Sequence, residues 1–126
     1  MTPADDRGGA RPQRERGSGT VLALAVVFVL LALMSGVLLL VQAAVGAERA
    51  ATSADLAALA GADAARGLVS GQPCEVALVV VVRHQAALVS CTINGTDRDI
   101  VEIATRVELP GPWGTATGRA RAGPPP

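Results

Sequence analysis

The sequence predicts an α+β protein: an N-terminal transmembrane helix continuing into an Ala-rich helix, then a small helix plus β-hairpin domain. Three observations predict it. No charged side chain occurs from Gly17 to Ala47, the next twenty residues are dominated by alanine, and residues 101–109 alternate apolar with polar side chains. A long uncharged apolar run marks a membrane helix, Ala-rich sequence favours helix, and period-2 alternation marks a half-buried strand.

Residues 1–17, MTPADDRGGARPQRERG, are rich in Gly, Pro and charge and nearly free of apolar side chains, which predicts a disordered cytoplasmic leader. Residues 18–47 form the predicted transmembrane helix. Within them Thr20 to Val45 carries only Thr20, Ser35 and Gln42 as hydrogen-bonding side chains. At 1.5 Å per residue this run is ~39 Å long, more than the ~30 Å hydrocarbon thickness. Sixteen of its residues are Leu, Val or Phe, and at roughly −0.4 kcal/mol each they favour insertion by about 6 kcal/mol. Arg7, Arg11, Arg14 and Arg16 precede the run, whereas only Arg49 and Arg66 follow it closely. Basic residues resist translocation, so the N-terminus is expected in the cytoplasm and the C-terminus outside the cell membrane.

Residues 48–109 are expected to be extracytoplasmic. Their first part, GAERAATSADLAALAGADAARG counted from Gly46, extends the helix, with Gly67 as its stop. Ala51, Ala54, Ala58, Gly61 and Ala65 follow one another at helical spacing and form a seam of small residues. Such a seam lets another helix approach closely, or packs against the chain's own small domain; the spacing is the same in both cases.

Two cysteines, Cys74 and Cys91, fall in the outside part, and their even number fits one bridge. Val76 to Val82 is ambiguous, because four consecutive valines favour a strand while Pro73 and the Arg83 to Ala87 stretch favour a helix. A helix over 74–85 followed by a returning strand brings Cys91 back to Cys74, whereas a tight hairpin sets Cys91 opposite residue 78. A bridge needs Cα atoms within ~7 Å, which selects helix, then hairpin. Val101, Ile103, Thr105, Val107 and Leu109 alternate with Glu102, Arg106 and Glu108, and this strand is expected to pair with Ala87 to Ile93 across Asn94-Gly95-Thr96-Asp97. Asn94-Gly95-Thr96 also matches a glycosylation acceptor, but a hairpin turn accounts for it.

Residues 110–126 contain five prolines and four glycines and are expected to be a disordered tail. Trp113 lies in that tail, as a staple on its own domain or a contact for a partner.

Acidic and basic residues balance at eleven each, every basic residue being arginine, so nothing in the charge supports nucleic-acid binding. His84 is the only histidine. No metal-ligand spacing, phosphate loop or catalytic constellation is present in the sequence, so neither a cofactor nor an enzymatic activity is expected.

Arg14-Glu15-Arg16-Gly17-Ser18-Gly19-Thr20-Val21 followed at once by the apolar run, then Ala54-Asp55-Leu56-Ala57-Ala58-Leu59-Ala60, Cys74, Cys91 and Ala120-Arg121-Ala122-Gly123-Pro124, form an arrangement that resembles the TadE-like proteins of actinobacteria. These are encoded beside tight-adherence (Flp) pilus and secretion components. The resemblance covers Arg14 to Pro124. It implies a minor pilin or pseudopilin whose partners are the membrane, the pilus or secretion assembly machinery and other pilin-like subunits. It also implies a prepilin peptidase cutting between Gly17 and Ser18. The sequence departs from the pattern in one respect: the fifth residue after Gly17 is Leu22 rather than Glu. The alternative is a secreted or anchored disulfide-bonded binding domain, released by a cut near Val41-Gln42-Ala43.

Overall fold

A computed structural model describes the backbone of residues 4–125 and the side chains of residues 17–125. Helix α1 spans Ala4–Ala65 and helix α2 Pro73–Arg83; strands β1, β2 and β3 span Ala87–Asn94, Ile100–Glu108 and Thr115–Ala122. The chain divides into two compact units, Met1–Leu38 and Leu39–Pro126. α1 begins at Ala4, within the stretch expected to be a disordered leader, and the side chains of residues 1–16 lie outside the described residues.

In the first unit, from residue 17 onward, every side chain of the helix is exposed, including Leu22, Phe28 and Leu33. The most apolar window of α1 has a mean hydropathy of 3.0 with none of it covered by protein, which makes α1 long and apolar enough to cross a membrane. The one hydroxyl in its middle, Ser35, donates to the Leu31 carbonyl at 2.8 Å.

The second unit packs the rest of α1 and α2 on one face of a three-stranded antiparallel sheet of order β1-β2-β3. α1 ends where expected: Gly67 takes φ 78, its N–H donates to Ala64, and the N–H of Leu68 donates to Asp63. This paired closure consumes two of the helix's orphan carbonyls. α2 starts with Pro73, which has no N–H to lose, carries Glu75 in its first turn and Arg83 in its last. It closes by the same device, with Gln85 at φ 56 donating to Val82, and Ala86 donating to Val81. Residues 76–82 are therefore helix.

β2 is the central strand. Val101, Ile103, Thr105 and Val107 are buried on the face toward the helices, while Arg106 and Glu108 are exposed. In β1 the register slips between Leu88 and Ser90, so Leu88 faces Thr105 and Cys91 faces Ile103. The extra residue at this bulge, Val89, lets both Leu88 and Cys91 pack on the core. The β1–β2 turn is longer than the Asn94 to Asp97 turn read from the sequence. Asn94 still pairs with Ile100, leaving a Gly95 to Asp99 loop in which Gly95 takes φ 95 and Arg98 φ 57.

The last segment corrects the sequence reading. The expected disordered tail of residues 110–126 is overturned over residues 111–122: a 3-10 turn at Gly111–Trp113 leads into β3, which pairs with β2 from Val101↔Ala122 to Glu108↔Thr115. Its prolines sit outside the strand, where no ladder hydrogen bond is lost. β3 fits because Ala116, Gly118, Ala120 and Ala122 fall on the helix side opposite Val107, Thr105, Ile103 and Val101. A Cβ on Gly118 would collide with the Ala50 carbonyl, so only glycine lets β3 and α1 approach this closely.

Candidate functional site

The small-residue stripe of α1 is the first candidate, and the structure places it inside the chain's own domain. Gly46, Ala50, Ser53, Ala54, Ala57, Ala58, Gly61 and Ala62 are buried on one helical face. Of the seam read from the sequence, Ala54, Ala58 and Gly61 belong to that face, Ala65 is half-buried and Ala51 is exposed. A Cβ on Gly61 would meet Val101 Cγ1 at 3.1 Å and the Pro73 carbonyl at 3.2 Å. Of the two readings of the seam, packing against the chain's own domain is the one realised, so Gly61→Leu would disturb this fold before it reached any neighbouring subunit. The Ala50 carbonyl fixes the contact: Thr105 Oγ1 donates to it at 2.6 Å and Ser53 Oγ at 2.9 Å, both buried. No buried side-chain nitrogen or oxygen among the described residues is left without a partner.

The disulfide joins Cys74 in the first turn of α2 to Cys91 in the middle of β1, with a Cα–Cα distance of 5.9 Å. The helix-and-return geometry read from the sequence is the one that brings these residues together. Val81 and Ala77 sit behind the bridge in the core, with Ile103 and Val101 across from them. His84, read as a surface residue, is half-buried at the end of α2, where Nδ1 lies 3.0 Å from the Val80 carbonyl. Its ring caps the helix.

Gly17 and Ser18, the expected cleavage pair, lie exposed in α1, and a Cβ added at Gly17 would meet nothing within 4 Å.

Three surfaces remain. The outer face of the sheet carries Ser90, Thr92, Glu102, Arg119 and Arg121 around an open groove of about 380 Å³. Register sets Glu102 beside Arg121 and Thr92, a polar face with mixed charge. On α2, Leu78, Val79 and Val82 are exposed and form an apolar face with no protein cover. At the start of the second unit, Leu109 and Pro110 lie along Val41, Gln42, Val45 and Gly46 of α1, with Arg49 and Glu108 bordering the same groove. The β3 strand and this loop were missed by sequence reasoning; the signal that could have found them is the alternation of Thr115, Thr117, Arg119 and Arg121 with Ala and Gly.

No three His, Cys, Asp or Glu side chains converge among the described residues. The described residues comprise an apolar helix long enough to cross a membrane and a closely packed disulfide-bonded domain. Comparison with family models, with curated proteins and with solved structures gives no match to this chain.

Proposed function

We propose that the chain is a minor pilin-like structural subunit of TadE-like type, serving a tight-adherence (Flp) pilus or a related secretion system rather than catalysing a reaction. One observation carries the reading: a single helix, uncovered and apolar in its first half, becomes in its second half one wall of the folded domain. A subunit built this way waits in the membrane by its helix. Pulling that helix outward moves the whole domain with it.

In this reading residues 18–47 cross the cell membrane, the N-terminus is cytoplasmic and the domain is extracytoplasmic. The four arginines before Ser18 hold the leader inside, and a prepilin-type peptidase cutting after Gly17 removes all of them. The partners are the membrane, the assembly machinery and other pilin-like subunits. Leu22 at the fifth mature position supplies no carboxylate to a neighbour's new amine, which suits a subunit that starts or ends a filament better than a repeated one. A secreted domain cut near Ala43 fits less well, since it would strip Val41 and Gln42 from the Leu109 groove.

N-terminal sequencing of the protein recovered from membranes tests the reading. A start at Ser18, lost when Gly17 is replaced, is expected. A start at Met1 or Thr2 in cells with active peptidase makes the chain an unprocessed anchor, and a start near Ala44 makes it a secreted domain.

A further inference from the structure

Helix α1 and the β2–β3 loop carry matching apolar stretches. On α1 the charge-free run ends at Glu48, and on the sheet it opens after Glu108 and lasts until Arg119. Between those limits the loop Leu109-Pro110-Gly111-Pro112-Trp113-Gly114 runs along the helix. A Cβ on Gly46 would collide with Leu109, and a Cβ on Gly111 would meet Leu39 Cδ2 at 3.7 Å. The loop therefore descends from the level of Gly46 to that of Leu39, and the Leu109 N–H closes it on the Gly114 carbonyl at 2.8 Å. Trp113, next to its lowest contact, keeps 48% of its surface exposed.

The helix sets the depth of this loop. Counted from Thr20, Leu39 is the twentieth residue, and twenty residues cover ~30 Å, the thickness of the hydrocarbon core. Leu39 then stands at the outer edge of the hydrocarbon. Residues Leu40 to Ala44 pass through the headgroup layer, which is roughly 5 to 8 Å deep on each side. The lower end of the loop, at Gly111 beside Leu39, lies at this layer. Arg49 and Glu108, which border the groove at its upper end, mark the return of charge on both elements.

We infer that the Leu109–Gly114 loop is a second membrane contact, which seats the Trp113 indole in the outer headgroup layer. The occupant of this apolar loop is lipid. An indole suits that layer because its ring is apolar while its N–H still reaches water or a phosphate oxygen. The inference deepens the proposed function and rests on its claim that residues 18–47 span the membrane. It adds a second element, besides α1, that touches the bilayer.

Trp113 is the only tryptophan, and the chain has no tyrosine, so the fluorescence of the unmodified protein reports on this one ring. The full chain is reconstituted into phosphatidylcholine–phosphatidylglycerol vesicles, with spin labels placed near the headgroup or near the chain end of the lipid. The expected result is emission shifted to the blue of an indole in water, strong quenching by the headgroup-proximal label, weaker quenching by the chain-end label, and weak quenching by aqueous acrylamide. Strong acrylamide quenching with no response to either lipid label, in vesicles that retain the chain through alkaline carbonate, overturns the loop inference and leaves the spanning claim standing. Silence toward all three quenchers buries the ring against protein and overturns it as well. If carbonate strips the chain from the vesicles, the spanning claim itself falls and the loop contact with it.

Discussion

The two stretches of α1 on either side of residue 46 obey opposite packing rules within one helix. From Val21 to Leu38 the large side chains Leu, Val and Phe point outward with no protein around them, whereas from Gly46 to Ala62 the buried face consists of Gly, Ala and Ser. In a water-soluble helix the large apolar side chains would be the buried ones. The inversion teaches that the two halves have different surroundings. Leu, Val and Phe make the first half long and apolar enough to cross a membrane, where lipid tails would surround them. Ala and Gly bring a helix backbone close to a sheet, so that the Thr105 hydroxyl can reach the Ala50 carbonyl.

The sharpest way to break the comparison is to enlarge one small residue at the helix–sheet contact. Gly118→Val places a branched side chain against the Ala50 backbone. A destabilisation of about 3 kcal/mol or more is expected, at the upper end for overpacking because backbone rather than a flexible side chain stands in the way. Thermal unfolding of the full chain followed by circular dichroism measures it. Membrane extraction of the variant should match the wild type, since the apolar half is untouched.

Removing the bridge acts next. Cys74→Ser opens a loop of sixteen intervening residues, a loss of about 3 kcal/mol in the chain-entropy model. Chemical denaturation of the wild type with and without reductant should show the same loss, and non-reducing mass spectrometry should find the bridge within one chain. A bridge found only between chains would contradict the α2–β1 pairing described above.

A smaller change probes the contact without filling it. Thr105→Val removes the hydroxyl donated to Ala50, while Ser53 Oγ still donates to the same carbonyl. The acceptor is not orphaned, so the cost should be that of one ordinary hydrogen bond, about 1 kcal/mol. A much larger loss in the same unfolding measurement would show that the close approach depends on this bond. The smallest effect is expected for Gln85→Gly. Gln85 closes α2 at φ 56, a region where glycine carries no side-chain penalty, and a gain of about 0.5 to 1 kcal/mol is expected.

Parts of this architecture were legible in the sequence for identifiable reasons. The apolar helix and β2 carry strong hydropathy patterns, one continuous and one alternating, and the placement of Cys74 and Cys91 chose helix over strand for the valine run. β3 was not legible because its inward residues Ala116, Gly118, Ala120 and Ala122 have little hydropathy to alternate, and because nearby prolines dominated the composition of the segment. The prolines in fact stand at Pro110, Pro112 and beyond Ala122, outside the strand. The seam shows a different limit. Small residues at Ala54, Ala58 and Gly61 give one signal whether the surface they approach belongs to another chain or to this one. Only the position of Val101 and Pro73 against Gly61 decides it. The β1–β2 turn differs from the sequence reading because Asn94 has a ladder partner in Ile100, which leaves Gly95 to Asp99 as the loop.

The central claim is that the exposed half of α1 lies in lipid with the folded domain outside the cell membrane. An epitope appended after Pro126, probed by antibody on intact cells stripped of their outer layers, tests it most directly. The account predicts that the epitope is reached without permeabilising the membrane and that the chain stays in the membrane pellet through alkaline carbonate. An epitope reached only after permeabilisation, or a chain released by carbonate, would contradict it.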